Sequence, residues 1–314
     1  MSNSIGVVIP TRNAGAELRQ CLAPVLANRS VACCLVVDSQ SSDNTAVLAR
    51  ELGCRVETID AQTFNHGATR ELARKIIGTD IVVFLTQDAI MVGPEAIDLL
   101  VAPLLDSRAD IAYGRQLPKS GADLFESVPR EFNYPPQSEI RRIGHAKSLG
   151  VFTFFCSDSF AAYRQSSLER VGGFPTILTN EDYFVTASVL QKGGAIAYVA
   201  EAQAWHSHRY TLMQEFRRFF DTGYVRGENR WLQNVVGNAE GRGVKMSSEL
   251  LRRLARTQPW NLPYSVLHLF AKWLGYRVGY FGANLPAGMK ERLSSQPGYW
   301  RSRATPAAAL SSTR

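Results

Sequence analysis

The sequence predicts an α/β protein whose mainly parallel sheet is covered by helices on both faces. Strand-like and helix-like segments alternate through the first half of the 314 residues. The strand-like segments are almost continuously apolar, which is typical of strands buried on both faces of a parallel sheet. The chain is 45% hydrophobic and 20% charged, a balance that favours a packed globular protein over a disordered one.

Five strands and four helices are predicted in alternation before the middle of the chain. The helix ends are marked by residues that favour them, such as Pro94 in a first turn and Gly78 after a last one. The predicted strands are 5–10, 33–38, 54–59, 80–85 and 109–114, and the predicted helices are 16–28, 43–53, 67–78 and 94–106. In such a sheet, ligands bind at the carboxyl ends of the strands.

The order is less regular after the fifth strand. Residues 115–150 contain prolines and mixed charges, and we predict a mobile loop region over the sheet edge. A strand over 159–164, a helix over 180–194 and a last strand over 195–200 follow. We therefore expect an α/β catalytic domain over residues 1–204.

The C-terminal third differs from the rest in charge. Residues 205–314 carry a net charge of +11, whereas the remainder carries −4. A basic, aromatic, helical region is predicted over 205–300, with helices over 212–232 and 264–282, and a disordered tail over 301–314. Positive charge beside aromatic residues indicates an anionic partner, such as a membrane surface or a diphosphate. An aromatic layer over the sheet, or an interface in a homo-oligomer, is the alternative.

Several classes of protein are disfavoured by missing patterns. No G-x-G-x-x-G motif follows the first strand and no G-x-x-x-x-G-K-[ST] motif occurs, which argues against a NAD-dependent dehydrogenase and a P-loop NTPase. The basic region has no recognisable nucleic-acid-binding motif, so no nucleic acid partner is expected. The five cysteines are scattered, so neither a disulfide framework nor a thiolate zinc site is expected. Without a signal peptide or a membrane-spanning run, the sequence favours a cytoplasmic protein.

Two aspartates follow predicted strands at the edge where a ligand should bind. Asp88 lies in "TQDA" after the fourth strand, and a carboxylate there can ligate Mg²⁺ or Mn²⁺, ions that often share their coordination shell with substrate phosphates. Asp38 ends the second strand and could accept hydrogen bonds from a nucleobase or a ribose. Either residue could instead only cap or turn the chain.

Three further segments offer side chains for chemistry. Glu181 and Asp182 open a predicted helix, where a carboxylate can act as a general base or can simply favour the helix N-terminus. His206 and His208 are two residues apart, so in an extended segment they share a side and could complete a metal shell or hold a phosphate. Arg70 could lie against a phosphate or could be a surface arginine on an amphipathic helix.

In their order and spacing, these segments resemble the inverting nucleotide-sugar glycosyltransferases of family 2, which have the GT-A fold. The resemblance runs from residue 5 to about residue 210, and its carriers are "VVIPTRN", "VVDSQSSDNT", "FNHGATRE", "FLTQDA", "GGFP" and "NEDYF". The segments "FNHGATRE", "TQDA" and "WHSHRYT" are most similar to rhamnosyltransferases of bacterial O-antigen and cell-wall polysaccharide assembly. The resemblance implies a Rossmann-like, nucleotide-sugar-binding mixed sheet flanked by helices.

The resemblance also implies a role for each matching residue. Asp182 would be the catalytic base, and Asp88 would hold a divalent cation, Mg²⁺ or Mn²⁺, with help from His206 or His208. The first acid of the family's Asp-x-Asp metal motif is replaced here by Thr86, which implies weaker metal binding. The residues implied to bind the donor nucleotide are Pro10, Thr11, Asn13, Asp38, Arg70 and Gln87.

The implied reaction is the transfer of L-rhamnose from dTDP-L-rhamnose onto a hydroxyl of a growing, lipid-linked polysaccharide. Such an acceptor would explain why a cytoplasmic enzyme associates peripherally with the inner face of the cell membrane. A second interpretation, a catalytically degenerate scaffold protein in polysaccharide assembly, is suggested by the incomplete metal motif. The adjacent acids Glu181 and Asp182 argue against that interpretation.

Overall fold

The computed structural model describes residues 3–236 and 240–304 and has a mixed β-sheet at its centre. The strands of the described residues are β1 (Ile5–Thr11), β2 (Val31–Asp38), β3 (Arg55–Thr58), β4 (Ile81–Leu85), β5 (Ile90–Met91), β6 (Ile111–Leu117), β7 (Glu139–Arg141), β8 (Phe160–Arg164) and β9 (Ile196–Trp205). Their order in the sheet is β3-β2-β1-β4-β8-β6-β9-β5, and β7 also pairs with β9.

Helices connect these strands and make up the region after β9. Those before the last strand are α1 (Gly15–Ala27), α2 (Thr45–Glu51), α3 (His66–Ile77), α4 (Ala96–Leu105), α5 (Leu124–Asn133), α6 (Ala146–Leu149), α7 (Gln165–Val171) and α8 (Glu181–Gln191). Those after it are α9 (Leu212–Glu228), α10 (Trp231–Val236), α11 (Glu240–Thr257), α12 (Leu262–Tyr280), α13 (Ala287–Leu293) and α14 (Pro297–Ala304).

Only part of the sheet is parallel, so the prediction of a mainly parallel sheet is wrong, and the mixed sheet implied by the family resemblance is confirmed. β1 pairs in parallel with β2 and β4, and β2 pairs in parallel with β3. β8 lies antiparallel between β4 and β6. A continuous apolar run indicates a buried strand but carries no information about its direction, so the sequence pattern could not reveal this reversal.

Residues 115–150, predicted to be a mobile loop region, are largely regular. β6 continues into this segment, and α5, β7 and α6 follow it. Asp123 caps α5, because its Oδ1 accepts hydrogen bonds from the N–H groups of Phe125 and Glu126 at 2.8 and 3.1 Å. Pro129 lies inside α5, and a proline among mixed charges resembles a loop in the sequence.

The last strand and the predicted tail also differ from the prediction. β9 runs to Trp205 instead of ending at residue 200, because its second half pairs with both β5 and β6. Residues 301–304, predicted to begin the disordered tail, are the end of α14. The rest of that predicted tail, 305–314, lies outside the described residues. The other predicted strands and helices overlap the observed elements.

Two hydrophobic cores cover the two faces of the sheet. The first packs α1 and α4 onto the strands, with Leu18, Leu22 and Leu100 fully buried. The second is rich in aromatic residues, and the rings of Phe84 and Tyr163 meet edge to face with centroids 5.9 Å apart. Because both faces are covered, the ends of the strands are the part of the sheet that remains for a ligand.

Helices α9 and α12 are packed with their backbones in close approach. Gly223 and Gly227 of α9 lie against α12, and Gly275 and Gly279 of α12 lie against α9. A Cβ atom at any of these four positions would lie less than 3.0 Å from a backbone carbonyl oxygen of the other helix. Two reciprocal G-x-x-x-G pairs therefore allow this contact, as they do in other closely packed helix pairs.

The outer side of α12 is apolar. Leu267, Phe270 and Trp273 are each more than half exposed, whereas His268 of the same helix is buried. Within residues 3–236 and 240–304, no helix combines the length and the apolar composition that crossing a membrane requires. The exposed apolar side of α12 thus belongs to a helix that packs on α9 and does not span a bilayer.

We predict that Gly279→Ala lowers the free energy of unfolding by about 2 kcal/mol, because the new methyl group has no space beside the backbone of Phe220. Urea denaturation followed by circular dichroism measures the change. Gly288→Ala is the matched control, since no atom lies within 4 Å of its Cβ position in α13, and it should be neutral or slightly stabilising. Equal stability of Gly279→Ala and the wild type would contradict the close packing.

Candidate active site

A two-residue strand brings distant segments of the chain together at the carboxyl end of β4. β5 pairs antiparallel with the end of β9, so that Ile90 lies opposite Trp205. Asp88 precedes Ile90 by two residues, and His206 directly follows Trp205. The register of this short pairing therefore places the carboxylate after β4 beside the histidines after β9.

Asp88, His206 and His208 form a compact cluster. Nε2 of His208 lies 2.8 Å from Oδ2 of Asp88, and Nε2 of His206 lies 3.5 Å from Oδ1 of the same carboxylate. The two Nε2 atoms are 2.9 Å apart. The structure thus brings together the three residues that the sequence analysis proposed as metal ligands, which we call the metal-ligand cluster.

A glutamine from β6 determines which nitrogen of His206 carries the proton. Nδ1 of His206 lies 2.9 Å from Oε1 of Gln116, an oxygen that only accepts hydrogen bonds, so Nδ1 is the protonated nitrogen. The amide nitrogen of Gln116 donates to Oγ of Ser157 at 2.7 Å, which holds the amide in this orientation. Burial lowers the pKa of His206 to about 4, so the ring is neutral near pH 7. Nε2 of His206 therefore offers a lone pair to a cation.

The metal-ligand cluster fits a divalent cation. Neighbouring ligands at about 2.1 Å from an octahedral ion lie about 3.0 Å apart, close to the 2.9 Å between the imidazole nitrogens. Although burial opposes ionisation of Asp88, the adjacent imidazoles of His206 and His208 hold the pKa of its carboxyl well below the usual range, so the carboxylate supplies negative charge. The Oγ1 atom of Thr86, which replaces the family's first acid, is buried and has no hydrogen-bond partner among the described residues.

Asp182 is half-buried and lies in the first turn of α8, beside a group of buried charges. Its Oδ1 accepts a hydrogen bond from the N–H of Tyr183 at 2.7 Å, and its Oδ2 accepts one from the N–H of Asp158 at 3.4 Å. Nε of Arg70 lies 3.0 Å from Oδ2 of Asp158, and Nη1 of Arg70 pairs with Glu181. One guanidinium therefore pairs with two carboxylates, which lie beside a third, that of Asp182, and we call these four side chains the Arg70 group.

The excess of acids in the Arg70 group raises its affinity for protons. Burial, followed by the charges of Asp158 and Glu181, raises the pKa of Asp182 well above its ordinary value. Burial also raises the pKa of Asp158 to about 6, although the charge of Arg70 opposes this. A carboxylate with a raised pKa is a stronger proton acceptor once ionised, which is the property that a general base needs.

The partners of Arg70 differ from the predicted one. Arg70 is 5% exposed and pairs with Asp158 and Glu181, so its guanidinium is directed to carboxylates and not to an open nucleotide pocket. α3 can approach this region because Gly67 packs on the backbone carbonyl of Pro175, where a Cβ atom would not fit. These contacts indicate that Arg70 positions the acids around Asp182, and its contact with the donor nucleotide stays a prediction.

The loops after β1 and β2 are joined by side-chain hydrogen bonds. Thr11 lies opposite Asp38 in the sheet and donates to its Oδ1 at 3.2 Å. The N–H and the hydroxyl of Ser41 donate to the two oxygens of Asp38 at 2.9 and 2.5 Å. Asn13, in a left-handed conformation with φ of 51°, accepts from the N–H of Ser42 at 2.8 Å. The loops are therefore mutually oriented before a ligand binds.

Gln87 ties the loop after β4 to the loop after β1. Its Oε1 accepts from the N–H of Arg12 at 2.8 Å, and its Nε2 donates to the carbonyl of Arg12 at 3.2 Å. The structure gathers five of the predicted nucleotide-binding residues at one edge of the sheet, beside the metal-ligand cluster: Pro10, Thr11, Asn13, Asp38 and Gln87. Their contact with a nucleotide stays a prediction.

Two residues of the site, Asp158 and Gln116, were not identified from the sequence. Asp158 precedes β8, whose Phe160 lies opposite Leu85 at the end of β4. Because β8 is antiparallel to β4, its beginning shares the edge where the parallel strands end. The acid before this strand could have been recognised only with knowledge of the strand's direction. Gln116 lies in the segment that was predicted to be irregular.

We predict that Gln116→Leu weakens Mn²⁺ binding by about ten- to hundredfold, because His206 loses the acceptor that holds its proton on Nδ1. Free Mn²⁺ measured by electron paramagnetic resonance gives the dissociation constant without an activity assay. Gln203→Leu on β9 is the control, since that amide donates only to a backbone carbonyl at 3.4 Å. Unchanged Mn²⁺ affinity in Gln116→Leu would show that this hydrogen bond does not support a metal site.

Comparison with known proteins identifies a matching family model and similar proteins over most of the chain. The family model of glycosyl transferase family 2 matches residues 6–172. The chain is 39% identical to the O-antigen chain rhamnosyltransferase RfbN of Salmonella typhimurium, over 94% of this chain and 96% of that protein. It is also 39% identical to the O-antigen chain rhamnosyltransferase WbaN of Salmonella anatum, over 85% of each chain.

The fold is shared with solved transferases of much lower identity. The mannosyltransferase PcManGT from Pyrobaculum calidifontis, solved with GDP-Man and Mn²⁺, has a TM-score of 0.62 and 13% identity, and the match covers 90% of this chain and 89% of that one. At this identity the similarity concerns the fold alone, and it confirms the GT-A architecture that the resemblance implied. The family model spans more than half of the chain and two relatives match most of its length, so the chain belongs to glycosyl transferase family 2.

Proposed function

We propose that this glycosyltransferase moves L-rhamnose from dTDP-L-rhamnose onto a hydroxyl of a growing, lipid-linked polysaccharide, with inversion at the anomeric carbon. The main support is that the metal-ligand cluster and a half-buried carboxylate, Asp182, both lie at the edge where β4 ends and β8 begins. The choice of rhamnose and of an O-antigen chain is supported by the relatives RfbN and WbaN.

The donor nucleotide would occupy the edge formed by the loops after β1, β2 and β4. By resemblance, Asp38 would accept a hydrogen bond from the pyrimidine base. Both of its oxygens now accept from Thr11 or Ser41, so we expect Ser41 to exchange partners when the base binds. This exchange should cost little free energy, because Ser41 lies in a loop and its hydroxyl can rotate to donate to another acceptor.

Asp88, His206 and His208 would hold the divalent cation. A cation bound there supplies positive charge that stabilises the leaving nucleoside diphosphate. Two imidazole nitrogens with one carboxylate are a softer ligand set than the all-oxygen shell that Mg²⁺ prefers. We therefore expect Mn²⁺ to bind more tightly than Mg²⁺.

The chemical step is a single displacement in which Asp182 is the base. Asp182 removes the proton of the acceptor hydroxyl while that oxygen attacks the anomeric carbon. The bond from this carbon to the diphosphate oxygen breaks, its electron pair leaves with the nucleoside diphosphate, and the configuration inverts. The proton remains on Asp182, whose raised pKa favours its transfer. Arg70 neutralises part of the charge of Asp158 and Glu181 and so holds Asp182 in place.

The C-terminal helices would place the enzyme on an anionic membrane, at the inner face of the cell membrane. Residues 205–314 carry a net charge of +11, and the outer side of α12 exposes Leu267, Phe270 and Trp273. Apolar side chains that enter the headgroup region, together with cations that attract anionic lipids, are the usual basis of peripheral binding. A lipid-linked acceptor would then meet the enzyme at this surface.

Calorimetric titration with dTDP, UDP, GDP and ADP, with and without Mn²⁺, tests the proposal in the wild type and in Asp182→Asn. We expect Mn²⁺-dependent binding of dTDP in both, and at least a hundredfold loss of rhamnosyl transfer in Asp182→Asn, because the amide cannot accept the proton. Glu17→Gln, an exposed acid in the first turn of α1, is the control and should keep full activity.

Each other result has a distinct meaning. Tighter binding of UDP than of dTDP would support the glycosyltransferase function and contradict dTDP-L-rhamnose as the donor. Absence of any nucleotide binding would favour the scaffold interpretation, for which the threonine at position 86 is the supporting observation. A near-normal rate in Asp182→Asn would show that another residue is the base.

Vesicle flotation tests the membrane contact. We predict that the wild type floats with vesicles that contain anionic lipid and that added salt reduces this binding, because salt screens the attraction. Replacing Phe270 and Trp273 by alanine should release most of the protein, whereas Leu72→Ala, at an exposed apolar position in α3, should not. Equal flotation with neutral and anionic vesicles, or none with either, would contradict the proposed surface.

A further inference from the structure

A cavity of about 260 Å³ opens beside the metal-ligand cluster. Its walls come from α5, from the segment after β9, and from α9 and α12. The loops after β1, β2 and β4, which are predicted to bind the nucleotide, do not line it among the described residues. His208 belongs both to the metal-ligand cluster and to the wall of this cavity. The cavity therefore continues the site in the direction of the C-terminal helices.

Aromatic rings form two walls of the cavity. Tyr264, 39% exposed, lies with its ring centroid 5.2 Å from that of Phe125 and 6.2 Å from that of His268. On the other wall, the ring of Tyr210 lies 5.5 Å from that of His208. Aromatic surfaces of this kind bind the apolar C–H face of a pyranose ring, because that face is poorly hydrated and flat.

Polar groups in the cavity are free to bind a ligand. Within residues 3–236 and 240–304, the carboxylate of Glu126 and the hydroxyls of Tyr210 and Tyr264 make no hydrogen bond or ion pair. The side-chain amide of Asn261 donates to Gln258 at 2.9 Å and keeps its carbonyl oxygen available. Acceptors and hydroxyls around aromatic rings are the groups that recognise the hydroxyls of a sugar.

Charged side chains at the base of the cavity are paired with one another. Nε2 of His268 lies 3.1 Å from Oε1 of Glu215, and Nζ of Lys272 lies 3.3 Å from the same oxygen. Glu215 and His268 are both buried. This network holds α9 against α12 and keeps the cavity open, so the side chains above it are oriented before a ligand arrives.

We propose that this cavity is the subsite that receives a pyranose ring of the acceptor saccharide. The ring packs on Tyr264, and its hydroxyls hydrogen-bond to Glu126 and Tyr210. The inference rests on the proposed function, because it assumes that the acceptor is a saccharide. It extends that proposal by assigning the acceptor's ring to named residues.

The position of the cavity favours the acceptor over the sugar of the donor. The predicted nucleotide edge lies on one side of the metal-ligand cluster, and the cavity is formed by other elements that meet it at His208. α12 supplies Tyr264 and His268 to the cavity and exposes Leu267 and Phe270 to solvent. A saccharide attached to a lipid could therefore contact one helix with both its sugar and its lipid.

Ligand-detected NMR on the protein saturated with dTDP and Mn²⁺ tests this inference. The probes are the methyl pyranosides of L-rhamnose, D-galactose, D-mannose and D-glucose. We expect at least one to bind, and we expect Tyr264→Ala and Glu126→Gln each to weaken that binding by about tenfold. Phe281→Ala, which removes an exposed ring at the far end of α12, is the control and should bind as the wild type does.

The dTDP affinity of each variant, measured by calorimetry, separates this inference from the proposed function. Weaker pyranoside binding with unchanged dTDP affinity supports the subsite. Pyranoside binding that both variants retain, or no pyranoside binding to the wild type, overturns it. Displacement of the pyranoside by dTDP-L-rhamnose, but not by dTDP, assigns the cavity to the donor sugar and also overturns it. Loss of dTDP binding by the wild type contradicts the proposed function instead.

Discussion

The pairing of β5 with β9 is the constraint on which the rest of the site depends. Asp88 and the two histidines lie far apart in the sequence, and the register that sets Ile90 opposite Trp205 brings them together. In a strand, a slip of one residue turns every side chain to the other face. His206 and His208 share a side because they are two residues apart, so one slip would turn both away from Asp88. The register of this short pairing therefore decides whether the metal-ligand cluster forms.

A second constraint is the charge balance around Asp182. Burying Asp158 and Glu181 without a cation would be very costly, and Arg70 is the cation that pairs with both of them. The compensation is incomplete, because one positive charge faces three acids. Burial, together with this deficit, raises the pKa of Asp182 and of Asp158. The arrangement that stabilises α3 against α8 is thus also the one that would prepare Asp182 as the proposed base.

The sequence was informative wherever a residue's role followed from its position at the end of a parallel strand. Asp38 and Asp88 were recognised in this way, and the spacing of His206 and His208 suggested a shared side that the structure bears out. The sequence was uninformative where the role depends on pairing partners. Asp158 lies at the edge only because β8 is antiparallel, and β5 is too short to show a periodic pattern. The carboxylate partners of Arg70 could not be predicted either, because Glu181 of α8 and Asp158 before β8 are far from Arg70 in the sequence.

The C-terminal helices show how one element can serve packing, recognition and location together. α12 uses Gly275 and Gly279 to approach α9, and this approach brings His268 within reach of Glu215. The same contact sets the position of Tyr264 in the cavity and leaves Phe270 on the outer, solvent-exposed side of α12. Because the helix is rigid, a shift that improved lipid contact would also move the ring proposed to hold the acceptor. The glycine contacts between α9 and α12, together with the ion pairs of Glu215, therefore link the proposed membrane surface to the proposed sugar subsite.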